Sequence, residues 1–113
     1  WCKTRRAKFY TYDIFLLRMT RVLREIGIVE CHETADVFEI EAKIAGLIKS
    51  DGITIVFCDG GNKVKELEVF SKYIKKEDFI AVHDWGTEVL PTDVPKELKL
   101  VRQGVMTAIF RHA

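Results

Sequence analysis

No stretch of the chain approaches the roughly 20 consecutive apolar residues that a membrane helix needs, and no charged leader followed by an apolar segment and a small-residue cleavage site opens it. These absences predict a cytoplasmic protein with no membrane partner. Cysteine is scarce as well. Cys2, Cys31 and Cys58 make an odd count without C-x-x-C spacing, which argues against both a disulfide framework and a zinc site. His32 follows Cys31 directly, but neighbours on a strand point to opposite faces, so the two do not form a joint ligand or nucleophile pair. Neither sign of charge dominates: 18 basic against 17 acidic residues leave a formal net charge of +1. A field that weak does not select nucleic acid or an anionic membrane as partner. The one basic cluster, Lys3, Arg5, Arg6 and Lys8, reads as a solvated lead-in. No internal repeat or low-complexity segment is present, and 113 residues suffice for one core, so residues 1–113 are expected to form a single domain.

What the chain does have is Ile53-Thr54-Ile55-Val56-Phe57-Cys58-Asp59-Gly60-Gly61, an apolar run that stops in a carboxylate and two glycines. Short, β-branched and bounded by glycine, it predicts a strand covered on both faces at the centre of a parallel sheet. Ligands of such sheets bind beyond the carboxyl ends of the strands, which puts Asp59 where chemistry is expected.

The remaining elements fall in order around it. Residues 8–13 read as a strand ending in Asp13. A helix is expected over about 17–26, with Gly27 as its stop. Residues 28–33 form a more polar strand suited to an edge. Asp36 is placed to cap a helix whose inner face is Val37, Ile40, Ile44, Leu47 and Ile48. Asn62 is placed to cap a second one, with Leu67, Phe70, Tyr73 and Ile74 inward. Residues 79–84 repeat the design of the central strand and end in His83-Asp84. Past a loop holding Pro91 and Pro95, residues 98–102 and 105–111 read as a hairpin around Gly104. The sum is an α/β domain: a Rossmann-like three-layer sandwich, mostly parallel, with an antiparallel C-terminal hairpin beside the strand that ends at Asp84.

Four stretches carry a more specific signal: Thr11-Tyr12-Asp13-Ile14, Asp36-Val37-Phe38-Glu39, Val56-Phe57-Cys58-Asp59-Gly60-Gly61-Asn62-Lys63 and Ile80-Ala81-Val82-His83-Asp84-Trp85. Together they resemble the later motifs of a class I S-adenosylmethionine-dependent methyltransferase, in its cephalosporin-hydroxylase-like and macrolide-sugar O-methyltransferase branch. The resemblance implies that Asp13 binds the ribose hydroxyls of S-adenosylmethionine and that Asp36 and Val37 read its adenine. It implies that Asp59 lies against the cofactor and, with Asp84, holds a divalent cation such as Mg2+ near the hydroxyl of a small acceptor. His83 would take the acceptor proton, with Asp84 beside it. Plainer roles stand next to these: a cap for Asp36, a turn residue for Asp13, an ordinary strand-end histidine for His83.

One departure from the family stands out. Nothing like G-x-G precedes Asp13, so the first strand and its glycine-rich loop have no counterpart. The expectation is a fragment, a processed product or a reduced relative, in which the strand ending at Asp13 pairs directly with residues 53–58 or finds its neighbour in a second copy of the chain. Three functions follow in order: the C-terminal portion of an O-methyltransferase, a non-catalytic binding or dimerisation module, and an anion site at Gly60-Gly61. The last lacks both phosphate-loop motifs.

Overall fold

The computed structural model describes residues 7–13, 25 and 31–113, in two units, Trp1–Glu41 and Ala42–Ala113. In the first, β1 (Tyr10–Asp13) and β2 (Cys31–Thr34) pair in parallel, with Tyr10 opposite Cys31 and Asp13 opposite Thr34. A parallel pair requires a crossover connection. The helix expected over 17–26, like residues 28–30 of the second predicted strand, lies outside the described residues apart from Glu25, which is helical. Beyond the ladder, the Ala35 amide donates to the Asp13 carbonyl at 2.8 Å, so the two strands end level with each other.

The second unit runs α1 (Glu41–Ile48), β3 (Ile55–Cys58), α2 (Lys63–Phe70), β4 (Phe79–His83), a 3-10 turn (Pro91–Asp93), β5 (Leu98–Gln103) and β6 (Thr107–His112). Its sheet has the order β3-β4-β6-β5. β3 and β4 are parallel, whereas β6 runs antiparallel to both β4 and β5. The hairpin thus joins the strand that leads to Asp84, as the Gly104 turn predicts. The architecture is α/β, a mixed four-stranded sheet with two helices among the described residues. Only one of its three pairings is parallel, because the hairpin supplies two of the four strands. No helix among the described residues is long and apolar enough to cross a membrane.

Three expectations need correction. The helix capped by Asp36 was expected to begin at Val37, but residues 37–40 form a turn and α1 starts at Glu41. Asp36 still caps that turn: its Oδ1 accepts from the Phe38 amide at 2.9 Å, and its carbonyl accepts from the amides of Glu39 at 3.1 Å and Ile40 at 3.3 Å. The run at 53–58 was expected at the centre of the sheet with both faces covered. Instead β3 is at the edge of the sheet among the described residues, and Ile53, Ile55 and Phe57 are 70%, 68% and 56% exposed while Cys58 is 1% exposed. Side chains alternate along a strand, and α2 packs on the β3–β4 pair, so the face with Cys58 is buried and the face with Ile55 is open. β1 does not pair with β3: among the described residues its strand partner is β2.

The core of this unit is Leu67 and Phe70 of α2, Ile80 and Val82 of β4, and Ala108 and Phe110 of β6, all buried. Trp85 meets the Phe110 ring edge-on at 5.5 Å. Asn62 caps α2 as expected, accepting from the Lys65 amide at 3.1 Å. A buried carboxylate sets the register. Asp78 is fully buried and accepts from the Thr54 amide at 2.8 Å, the Lys75 amide at 2.8 Å and the Lys75 ammonium at 2.7 Å. The same ammonium donates to the Ile48 carbonyl at the end of α1 at 2.6 Å. Burial alone would raise the Asp78 pKa, but the Lys75 ammonium and the two amides outweigh it and hold the carboxyl below its ordinary range. One side chain therefore ties α1, the start of β3 and the turn into β4 together.

Candidate functional site

Because Ile55 lies opposite Phe79 and Cys58 opposite Val82, the next residues, Asp59 and His83, emerge side by side at the carboxyl ends of two parallel strands. Asp84 follows with a positive φ of 55°, a left-handed conformation that aspartate tolerates better than most side chains. This ends the strand's alternation. The Asp84 carbonyl then accepts from the amides of Thr87 at 3.2 Å, Glu88 at 3.0 Å and Val89 at 3.3 Å, which winds residues 84–89 into a tight loop and brings Glu88 back toward the start of α2.

Four charged groups and one imidazole meet there. His83 Nδ1 lies 3.2 Å from Asp59 Oδ1 and 3.2 Å from Asp84 Oδ1. Lys63 Nζ lies 3.0 Å from Asp84 Oδ2 and 2.8 Å from Glu88 Oε2. Asp59, His83 and Asp84 each offer a ligand atom within 4.8 Å of the others. Exposure is graded across the group: the Asp59 side chain is 49% exposed, His83 37%, Asp84 20% and Lys63 9%. The Lys63 hydrogen bond, opposed by partial burial and aided by His83, holds the Asp84 carboxyl below its usual range. Bonds from Glu88 first and then Asp84 push the Lys63 ammonium above its usual range, against the effect of burial. Both groups are charged at neutral pH.

This arrangement can orient an imidazole through one nitrogen, and it can gather a cation between two carboxylates. It offers no thiol nucleophile. Cys58 is buried, and desolvation, with a contribution from Glu66, pushes its thiol far above the ordinary value. Nor is the glycine pair an open anion cradle: the Gly60 amide donates to Glu66 Oε2 at 3.2 Å, so a carboxylate of α2 already sits where an external anion would bind. A cleft of about 380 Å3 is lined by Trp85, Pro91, Pro95, Leu98, Gln103 and Phe110. It belongs to the face of Phe110 and its partner Ile80, three residues from His83 and hence on the opposite side of the sheet.

Of the residues singled out in the sequence, Asp59, His83 and Asp84 come together. Asp13 and Asp36 belong to the first unit, where Asp13 is the last residue of β1 and Asp36 lies two residues past the end of its parallel partner β2; one oxygen of Asp36 is engaged by the Phe38 amide, and Val37 is half-buried. Sequence reasoning gave no role to Lys63 or Glu88. A signal for Lys63 was present: a lysine at the first position of a helix opposes the helix dipole, which makes a carboxylate partner an economical explanation. Glu88 had none, since its placement depends on the loop that Asp84 winds. No family model, curated protein or solved structure matches the chain.

Proposed function

We propose that the chain is the C-terminal portion of an S-adenosylmethionine-dependent O-methyltransferase with a Rossmann-like catalytic domain, acting on a small hydroxylated acceptor. The observation that carries this reading is the convergence of Asp59, His83 and Asp84 at the carboxyl ends of adjacent parallel strands, joined to the motif resemblance described above. Asp13, with Asp36 and Val37, would hold the ribose and adenine of the cofactor. The carboxylates of Asp59 and Asp84, each with an oxygen within 4.8 Å of the other, suit a divalent cation that takes oxygen ligands, Mg2+ or Mn2+. Asp59 and Asp84 would hold that cation, which when bound supplies a Lewis acid that lowers the pKa of the acceptor hydroxyl. His83 keeps Nδ1 turned to the two carboxylates, and Nε2 is the atom assigned to take the acceptor proton.

The test is calorimetric titration of the purified protein with Mg2+ and Mn2+, with S-adenosylmethionine in a parallel series. Asp59→Asn is expected to abolish measurable cation heat while changing stability by no more than about 0.5 kcal/mol, because the side chain is half exposed. Equal heats in the two proteins would remove the cation from the reading. A second reading, a non-catalytic binding or dimerisation module, is favoured by one observation: the open apolar face of Ile53, Ile55 and Phe57 on an edge strand.

A further inference from the structure

Lys63 is the least exposed member of the charged group, 9% accessible, and it faces two carboxylates at once. One of them, Asp84, is assigned to the cation site; the other, Glu88, is 61% exposed and is not among the residues of that cluster. A second cation arriving at Asp84 meets a positive charge already bound to the same carboxylate, and like charges a few ångströms apart repel strongly where solvent is partly excluded. An ammonium at that depth is also costly to leave without a partner. Glu88 removes that second cost, because it keeps Lys63 paired when Asp84 turns its charge to another cation.

We propose that Lys63 is a positioning residue that sets the cation affinity of the Asp59 and Asp84 carboxylates, serving as the resident counter-ion of Asp84 and staying on Glu88 alone when a divalent cation binds. The inference rests on the cation reading of the proposed function. It assigns opposite signs to two substitutions. Lys63→Met removes the competing charge and raises affinity for Mn2+, by on the order of tenfold or more for a unit charge at this range. Glu88→Gln removes the alternative partner, confines the ammonium to Asp84 and lowers affinity, by on the order of threefold.

The two effects are coupled in a way that a general change in surface charge would not produce. In a Lys63→Met background Glu88 has no ammonium to receive, so adding Glu88→Gln leaves the affinity where Lys63→Met put it. Calorimetric titration of the full chain with Mn2+ alone, at one ionic strength, in wild type, both single variants and the double variant reads this directly. The expected result is a rise for Lys63→Met, a fall for Glu88→Gln and no further change in the double variant. Equal effects of Glu88→Gln in both backgrounds, or an unchanged or lower affinity in Lys63→Met, would overturn the counter-ion role and leave the cation site standing. A wild-type protein that takes up no Mn2+ would overturn both. Should Lys63→Met fail to fold, Glu88→Gln decides alone, since the exposed Glu88 side chain leaves the fold intact and an unchanged affinity would sink the proposal.

Discussion

Asp78 shows how much one residue carries in this chain. Its carboxylate has no exposed surface and accepts two amides and an ammonium, so replacing it leaves several donors unpaired in the interior. Asp78→Asn is expected to cost about 2–4 kcal/mol in denaturant unfolding. The sign of the pH dependence follows from the lowered pKa. The unfolded chain binds a proton near the ordinary value of 3.8, and the folded chain holds that site ionised to lower pH. The contribution of Asp78 is therefore present above about pH 4 and is lost as pH falls through the lower folded value. Stability measured from pH 6 down to pH 2 should fall more steeply in wild type than in Asp78→Asn; parallel curves would show that the carboxylate is not ionised in the folded state.

At the scale of single elements, β3 and α2 divide the energetic roles. The two faces of β3 differ sharply, with Ile55 68% exposed and Cys58 1% exposed, whereas Leu67 of α2 is fully buried against the sheet. Ile55→Thr keeps a β-branched side chain on an open face and should change stability by no more than about 0.5 kcal/mol. Leu67→Ala empties a packed site and should cost about 2–5 kcal/mol. Both are read from urea unfolding of dilute protein. A large loss for Ile55→Thr would mean that the face of β3 is covered in solution by something that binds it.

That possibility belongs to the molecule as a whole. A strand at the edge of its sheet among the described residues, with Ile53 before it and Ile55 and Phe57 on it exposed, is a template for association. If the module reading holds, sedimentation should show a dimer that forms with increasing concentration, and Ile55→Lys should return it to monomer by placing a charge on the contact face. A monomer at every concentration would remove dimerisation from that reading. The resemblance in the sequence and the geometry at Asp59, His83 and Asp84 do not depend on the outcome.

The elements of the second unit were legible because they are local. Short apolar runs, the Asn62 cap and the Gly104 turn act within a few residues, and β3, α2, β4 and the hairpin stand where those signals put them. The strand-end acids were legible for the same reason: each follows directly on a run whose length fixes where it ends. What required the tertiary structure was everything that joins distant residues. The side of the sheet on which β3 lies depends on which strand it finds as neighbour, and an apolar run cannot state whether both its faces will be covered. The ammonium of Lys63 reaches Asp84 and Glu88 only because the Asp78 contacts set β3 level with β4 and a left-handed Asp84 winds the loop behind it. Pairwise electrostatics falls off over a few ångströms, so the partners of a charge are decided by folding and not by spacing along the chain.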